Sequence, residues 1–178
     1  MRRRRPKTIA SRRRRNPETA RIASREVDGL RQWVKRTFAP KDRYASAERA
    51  IAHLRHLRDV DLNRLWEHLF YAKGLLPRRE GQGGSVFERL RLKIEADMGD
   101  ARNVLENAIE SARFQVDSVT PGTRTYEYRP DVREYYEKAP GGADEALRRV
   151  VSGDAGDAIN KVEALLSGKM LRSISTFL

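Results

Sequence analysis

The chain of 178 residues has no cysteine, which removes disulfides, thiolate nucleophiles and Cys-ligated zinc together. Histidines number three. His53 and His56 fall on what reads as one helix face and His68 stands apart. No carboxylate joins them at ligand spacing, so a surface or capping role is expected and no metal site. Long apolar runs are missing as well. None approaches the roughly 20 residues that span a bilayer, and no apolar stretch follows the first arginines as a secretory signal requires. The expectation is a soluble chain with no membrane span. Uninterrupted arginine blocks also make a poor amphipathic helix, which weighs against a mitochondrial transit peptide. Apolar residues make up only 39%, yet they fall in periodic segments separated by Gly and Pro, which suffices for a packed body.

Signs of catalysis are equally scarce. The run Gly81-Gln82-Gly83-Gly84-Ser85 opens a helix like a phosphate cradle, but no strand precedes it and no lysine follows, so no nucleotide cofactor is expected. Acids sit beside bases, as in Glu95, Asp97, Asp100 and Arg102, the pattern of a solvated, salt-bridged helix face. No residues line up as nucleophile, base and orienter. The sequence points to a protein that is not an enzyme and needs no cofactor.

What the chain does have is charge of one sign at one end. Residues 1–43 carry 16 Lys and Arg against four acids, Glu18, Glu26, Asp28 and Asp42, a net +12. Residues 44–178 carry 21 of each sign and are neutral. Arg2, Arg3, Arg4 and Arg5 form one block, Arg12, Arg13, Arg14 and Arg15 a second, with Lys7 between them and no acid until Glu18. Such a segment repels itself until a polyanion neutralises it. Guanidinium groups hold phosphate through paired hydrogen bonds and displace condensed counterions, giving affinity without sequence readout. The blocks lie ten residues apart, about 33 Å if extended, close to one duplex turn, against about 15 Å if helical. An extended arm could follow a groove; the simpler reading is that two blocks raise charge density.

Behind the arm the periodicity is helical. Asn16 and Pro17 mark a helix start, and Ala23, Val27, Leu30, Val34 and Phe38 form one apolar stripe with Arg21, Arg25, Gln32 and Arg36 on other faces. Ser46 can cap a second helix on Ala47, Ala50, Ile51, Leu54 and Leu57. Asp59 or Asp61 restarts or bends it into Leu62, Leu65, Trp66, Leu69 and Phe70, as an antiparallel pair or one broken helix. Ser85 and Glu88 form a capping box for a long helix over Phe87, Leu90, Ile94, Met98, Ala101, Leu105, Ala108 and Ala112, whose small residues invite close packing. A strand or hairpin is plausible at 120–129, and Asp131 with Glu134 reads as another capping box. Short helices are expected at 143–151 and from Asp157 to a stop at Gly168. The closing stripe of Met170, Leu171, Ile174, Phe177 and Leu178 either docks on a partner or folds back on its own body. Tyr126, Tyr128, Tyr135 and Tyr136 with Arg124, Arg129 and Arg133 could stack on nucleotides, or form a packed loop or subunit contact. The fold class expected is mainly α: a basic arm and helix at 1–43, then a helical assembly domain at 44–178 with at most one small hairpin.

An arginine-rich arm running into a basic amphipathic helix, then a helical body without site chemistry, resembles the coat (major capsid) proteins of filamentous archaeal viruses with linear double-stranded DNA. The resemblance is one of layout over the whole chain. It implies paired subunits, identical or paralogous, that wrap the duplex with their amino-terminal helices and pack helical bundles into a virion shell. It would make Arg2 to Arg5, Lys7, Arg12 to Arg15, Arg21, Arg25, Arg31, Lys35 and Arg36 the DNA-facing set. The competing reading is a phage head-to-tail adaptor, or another module of a virion or cytoplasmic nucleoprotein complex, whose basic arm enters a neighbouring protein.

Overall fold

The computed structural model describes residues 17–71, 74–76, 84–122 and 127–178. They form five helices packed together, with no strand among the described residues. Helix α1 spans Pro17–Thr37, and proline suits its first turn because the missing N–H would have no intrahelical partner there. Val27, Val34 and Phe38 on its apolar stripe are buried, with Leu30 and Trp33 packed beside them. After the loop at 38–46, the Ser46 hydroxyl accepts from the Arg49 N–H at 3.2 Å and caps α2, Ala47–His56.

Of the two arrangements open after α2, the structure takes the single helix. The chain continues through a wide π turn, Leu57–Asp61, into α3, Leu62–Phe70. The Leu62 N–H bonds to the Leu57 carbonyl five residues back, and the extra residue lets Leu54 and Leu57 share a buried side with Leu62, Leu65 and Leu69. Asp61 is therefore no cap. It is buried in the turn with His56 at 3.5 Å and Arg64 at 3.7 Å.

Helix α4, Gly84–Val119, has 36 residues and is about 54 Å long. It begins one residue before the expected cap, which places Ser85 in its first turn. It also passes Gly99 unbroken. An interior glycine costs about 1 kcal/mol, less than the burial of Ile94, Ala101 and Leu105 around it supplies. Past α4, Gly122 takes a left-handed turn at φ 80° and the Arg129 N–H bonds to the Ser118 carbonyl at 2.8 Å. The expected hairpin has no strand at 120–122 or 127–129, and its centre lies outside the described residues.

Helix α5, Pro130–Glu137, corrects a predicted start. Arg129 holds the cap position with extended backbone and no side-chain cap bond, because Pro130 favours the first helical position and pushes its predecessor out of helical geometry. Asp131 pairs with Arg129 at 3.0 Å instead of capping.

The larger correction is at the carboxy-terminal end. Helix α6, Gly142–Glu163, runs on through a π turn, Ala164–Met170, into α7, Leu171–Phe177. Two short helices were expected, with a break in the Gly- and Asp-rich run after Val151. Val151, Ala155, Ile159 and Val162 are all buried along one face, and that packing outweighs weak local propensity. Gly168 does not stop the helix; it lies inside the π turn. Met170, Leu171 and Ile174 are buried, and the Phe177 ring sits 6.1 Å from that of Phe87. The closing stripe thus folds back onto its own body.

Three pairs fix the direction of this helix against α4: Phe87 with Phe177, Asp97 with Lys169 at 3.0 Å, and Gln115 with Asp154 at 3.1 Å. As one number rises the other falls, so the two are antiparallel. Glu48 with Arg113 at 3.1 Å and Asn63 with Arg102 at 3.4 Å show the same for α2–α3 against α4. The long helix is the spine, its buried Ala101 and Ala112 admitting close neighbours. The stripe of α1 joins the same core, against α7 and the turn before it.

Candidate nucleic-acid interface

The arm residues Arg2, Arg3, Arg4, Arg5, Lys7, Arg12, Arg13, Arg14 and Arg15 lie outside the described residues. Arg21 is in α1, its side chain likewise undescribed. Of the remaining predicted cations, Arg25, Lys35 and Arg36 are exposed, while Arg31 is half-buried and donates to the Asp28 carboxylate at 3.0 Å. The structure thus separates the set: Arg31 is engaged inside its own helix, while the other three cations are exposed and have no ion pair among the described residues.

Their placement follows from the stripe. With Val27, Val34 and Phe38 turned inward, residues offset by half a turn face out. Arg25, Gln32 and Arg36 form that outer line, the two arginines three turns and about 16 Å apart. Lys35 and Arg36 occupy the last turn of α1, where a cation also complements the negative helix end. Helix α1 is therefore clamped to the body by one side and offers guanidinium groups on the other. Chemically this is a surface for phosphate oxygens or carboxylates.

The other candidates resolve into structural roles. His53 shares a hydrogen bond of 2.6 Å with the Tyr44 hydroxyl, His56 faces Asp61, and His68 stacks edge-on to Trp33 at 5.9 Å. Burial, with the nearby charges of Lys41 and His56, holds the His53 imidazole below its usual range. Burial also pushes the Tyr44 phenol up. Among the described residues no group of three His, Asp or Glu side chains could hold a metal. In the tyrosine-rich segment, Arg133 donates to Glu137 at 3.0 Å and to the Val119 carbonyl at 2.8 Å. Tyr135 and Tyr136 pack edge to face at 6.0 Å. Tyr126 and Arg124 lie outside the described residues, as does the glycine run at 81–83.

One acid departs from its expected solvated face. Asp97 is 1% exposed and takes Lys169 at 3.0 Å on one oxygen; the other has no hydrogen-bond partner among the described residues. Its Lys169 partner is raised above the ordinary lysine value, first by the hydrogen bond to Asp97 and then by that carboxylate's charge. Lys169 comes from the π turn 72 residues away in sequence, and no local pattern reveals the pair. The same holds for a basic cleft where the loop after α1 meets α6. No helix among the described residues is long and apolar enough to cross a membrane. The chain matches no family model, no curated protein and no solved structure, so the case for this interface rests on its own residues.

Proposed function

We propose that the chain is a structural nucleic-acid-packaging protein: a coat subunit that binds double-stranded DNA through its arginine-rich arm and the outer line of α1, within a helical virion. The observation that carries this is the confinement of the whole net charge of +12 to residues 1–43. The helix at the end of that segment is buried on its apolar side and bears Arg25 and Arg36 on the other. An arm anchored in this way brings a neutral body to a polyanion, and many bodies along a duplex then form a layer. Affinity comes from charge neutralisation and is independent of base sequence. A paralogous or identical subunit completes the layer.

Guanidinium-modifying reagents test the geometry. In the complex, bound duplex protects Arg25 and Arg36 from modification, read by mass spectrometry. The double substitution Arg25→Glu and Arg36→Glu weakens duplex binding about tenfold or more, because each reversed charge turns attraction into repulsion near phosphate. Equal modification with and without duplex, at low salt where binding is confirmed, would assign α1 to a protein surface such as the ring entered by a head-to-tail adaptor.

A further inference from the structure

A second cationic site lies where the loop after α1, the end of the basic segment, meets α6. The loop at 38–46 is fastened to α6 at two places. Arg148 donates to the Tyr44 carbonyl at 3.3 Å, and Gly156 approaches Pro40, whose Cβ lies 3.6 Å from where a Cβ on the glycine would stand. Beside these contacts the loop and helix enclose an open cleft of about 420 Å³, lined by Lys41, Asp42, Arg43, Glu145, Arg148, Arg149, Ser152 and Gly153.

Four cations face two carboxylates there, and the carboxylates are unequal. Glu145 is bound by both Arg148 nitrogens, and that hydrogen bonding, with the charges of Arg148, Arg149 and Arg43, holds its carboxyl down at about 2. Glu145 is thus an internal counterion of Arg148 first and of Arg149 second. Arg149 donates to the Pro140 carbonyl and stands 3.8 Å from the same Glu145 carboxylate. Lys41 is steadied over the Tyr44 ring at 5.9 Å. Two cations, Lys41 and Arg43, have no ion pair among the described residues and stand against Asp42, and the lining as a whole carries two more cations than carboxylates. Ser152 also borders the cleft, its Oγ enclosed and without a hydrogen-bond partner among the described residues. Gly153 keeps the floor open, since a Cβ there meets nothing within 4 Å.

We propose that this cleft binds a phosphate group, held by Lys41 and Arg43, with the Arg149 guanidinium beside them adding positive charge. The chemistry is that of a dianionic or diester phosphate, carried on a nucleic-acid backbone or free in solution. Bidentate guanidinium contacts supply the strong hydrogen bonds, and the lysine adds a point charge. The site does not depend on the packaging role of the arm.

The test uses the isotope-labelled full chain at low ionic strength and follows backbone amide resonances while inorganic phosphate is added. The arm also attracts phosphate, but only occupancy of the cleft moves Ser152 and Gly153. These two amides should shift saturably, with a midpoint in the millimolar range. The Lys41→Ala, Arg43→Ala double variant should weaken that response about tenfold. Both side chains are exposed, so the fold survives, which circular dichroism confirms. Gly153→Glu, which puts an acid into open space on a helix that tolerates glutamate better than glycine, should abolish the response. Silence at Ser152 and Gly153, or an unaltered response in both variants, overturns the proposal. A duplex of about one helical turn then identifies the source. If backbone phosphate is the ligand, duplex moves the same amides and the double variant reduces the salt slope of duplex binding by about 2. If free phosphate is the ligand, duplex leaves them in place while inorganic phosphate still moves them.

Discussion

Tyr44 and His53 show how one hydrogen bond couples a loop to a helix and the fold to pH. The imidazole is held below its ordinary value of 6.5, chiefly by burial, so the unfolded chain takes up a proton at a higher pH than the folded one does. Its contribution to stability is complete above about 6.5 and is lost as pH falls through the lower folded value. Denaturant midpoints should therefore decline from pH 8 to pH 5, and His53→Gln should flatten that decline; an equal slope in the variant would place the pH dependence elsewhere. Glu145 acts in a lower window, present above its ordinary 4.5 and lost as pH falls toward about 2. Asp97 and Lys169 form a long-range tie. Lys169→Met leaves a buried carboxylate without its cation and should lower the melting temperature. Adding Asp97→Asn should recover much of the loss, because the stranded charge goes with it. Thermal unfolding of both variants checks this, and an additive double variant would show that the pair is not coupled. The Asp97–Lys169 tie was not legible in the sequence, since it joins residues that only the packed helices bring together.

At the scale of elements, apolar spacing revealed most of what the structure contains. The stripe of α1, the capped start of α2 and the rhythm of α4 stand where Val27, Val34, Ser46, Ile94 and Leu105 put them, because burial on one face enforces a 3.6-residue period whatever lies opposite. Misreadings arose where local signals opposed packing. A break was expected between Val151 and Asp157 and a stop at Gly168 in a helix that continues through both, and Asp131 looked like a cap in a place governed by Pro130. The closing stripe is the case with consequences. Since Phe177 packs on Phe87 at the start of α4, Phe177→Asp should destabilise the monomer by about 2 kcal/mol, through lost burial and a charge beside apolar neighbours. Denaturant unfolding reads this directly. A variant of unchanged monomer stability that fails only in association would return the stripe to a docking role.

For the whole molecule, two halves of unlike chemistry divide the work. Residues 44–178 have a net charge of zero and supply packed helices, while the arm carries the charge and α1 joins the two through its buried stripe. The cations were legible because charge needs no tertiary structure to declare itself; their sorting was not, since the fold shows Arg31 engaged with Asp28 and Arg36 exposed with no ion pair among the described residues. The packaging account is tested most directly by duplex affinity measured against salt, in the intact chain and in one lacking residues 1–15. If about eight arm charges reach phosphates, log affinity should fall against log salt with a slope near −7, the same for unrelated sequences. Removing the arm should flatten the slope while the helical circular dichroism of the body persists. A slope near zero in the intact chain would contradict the account.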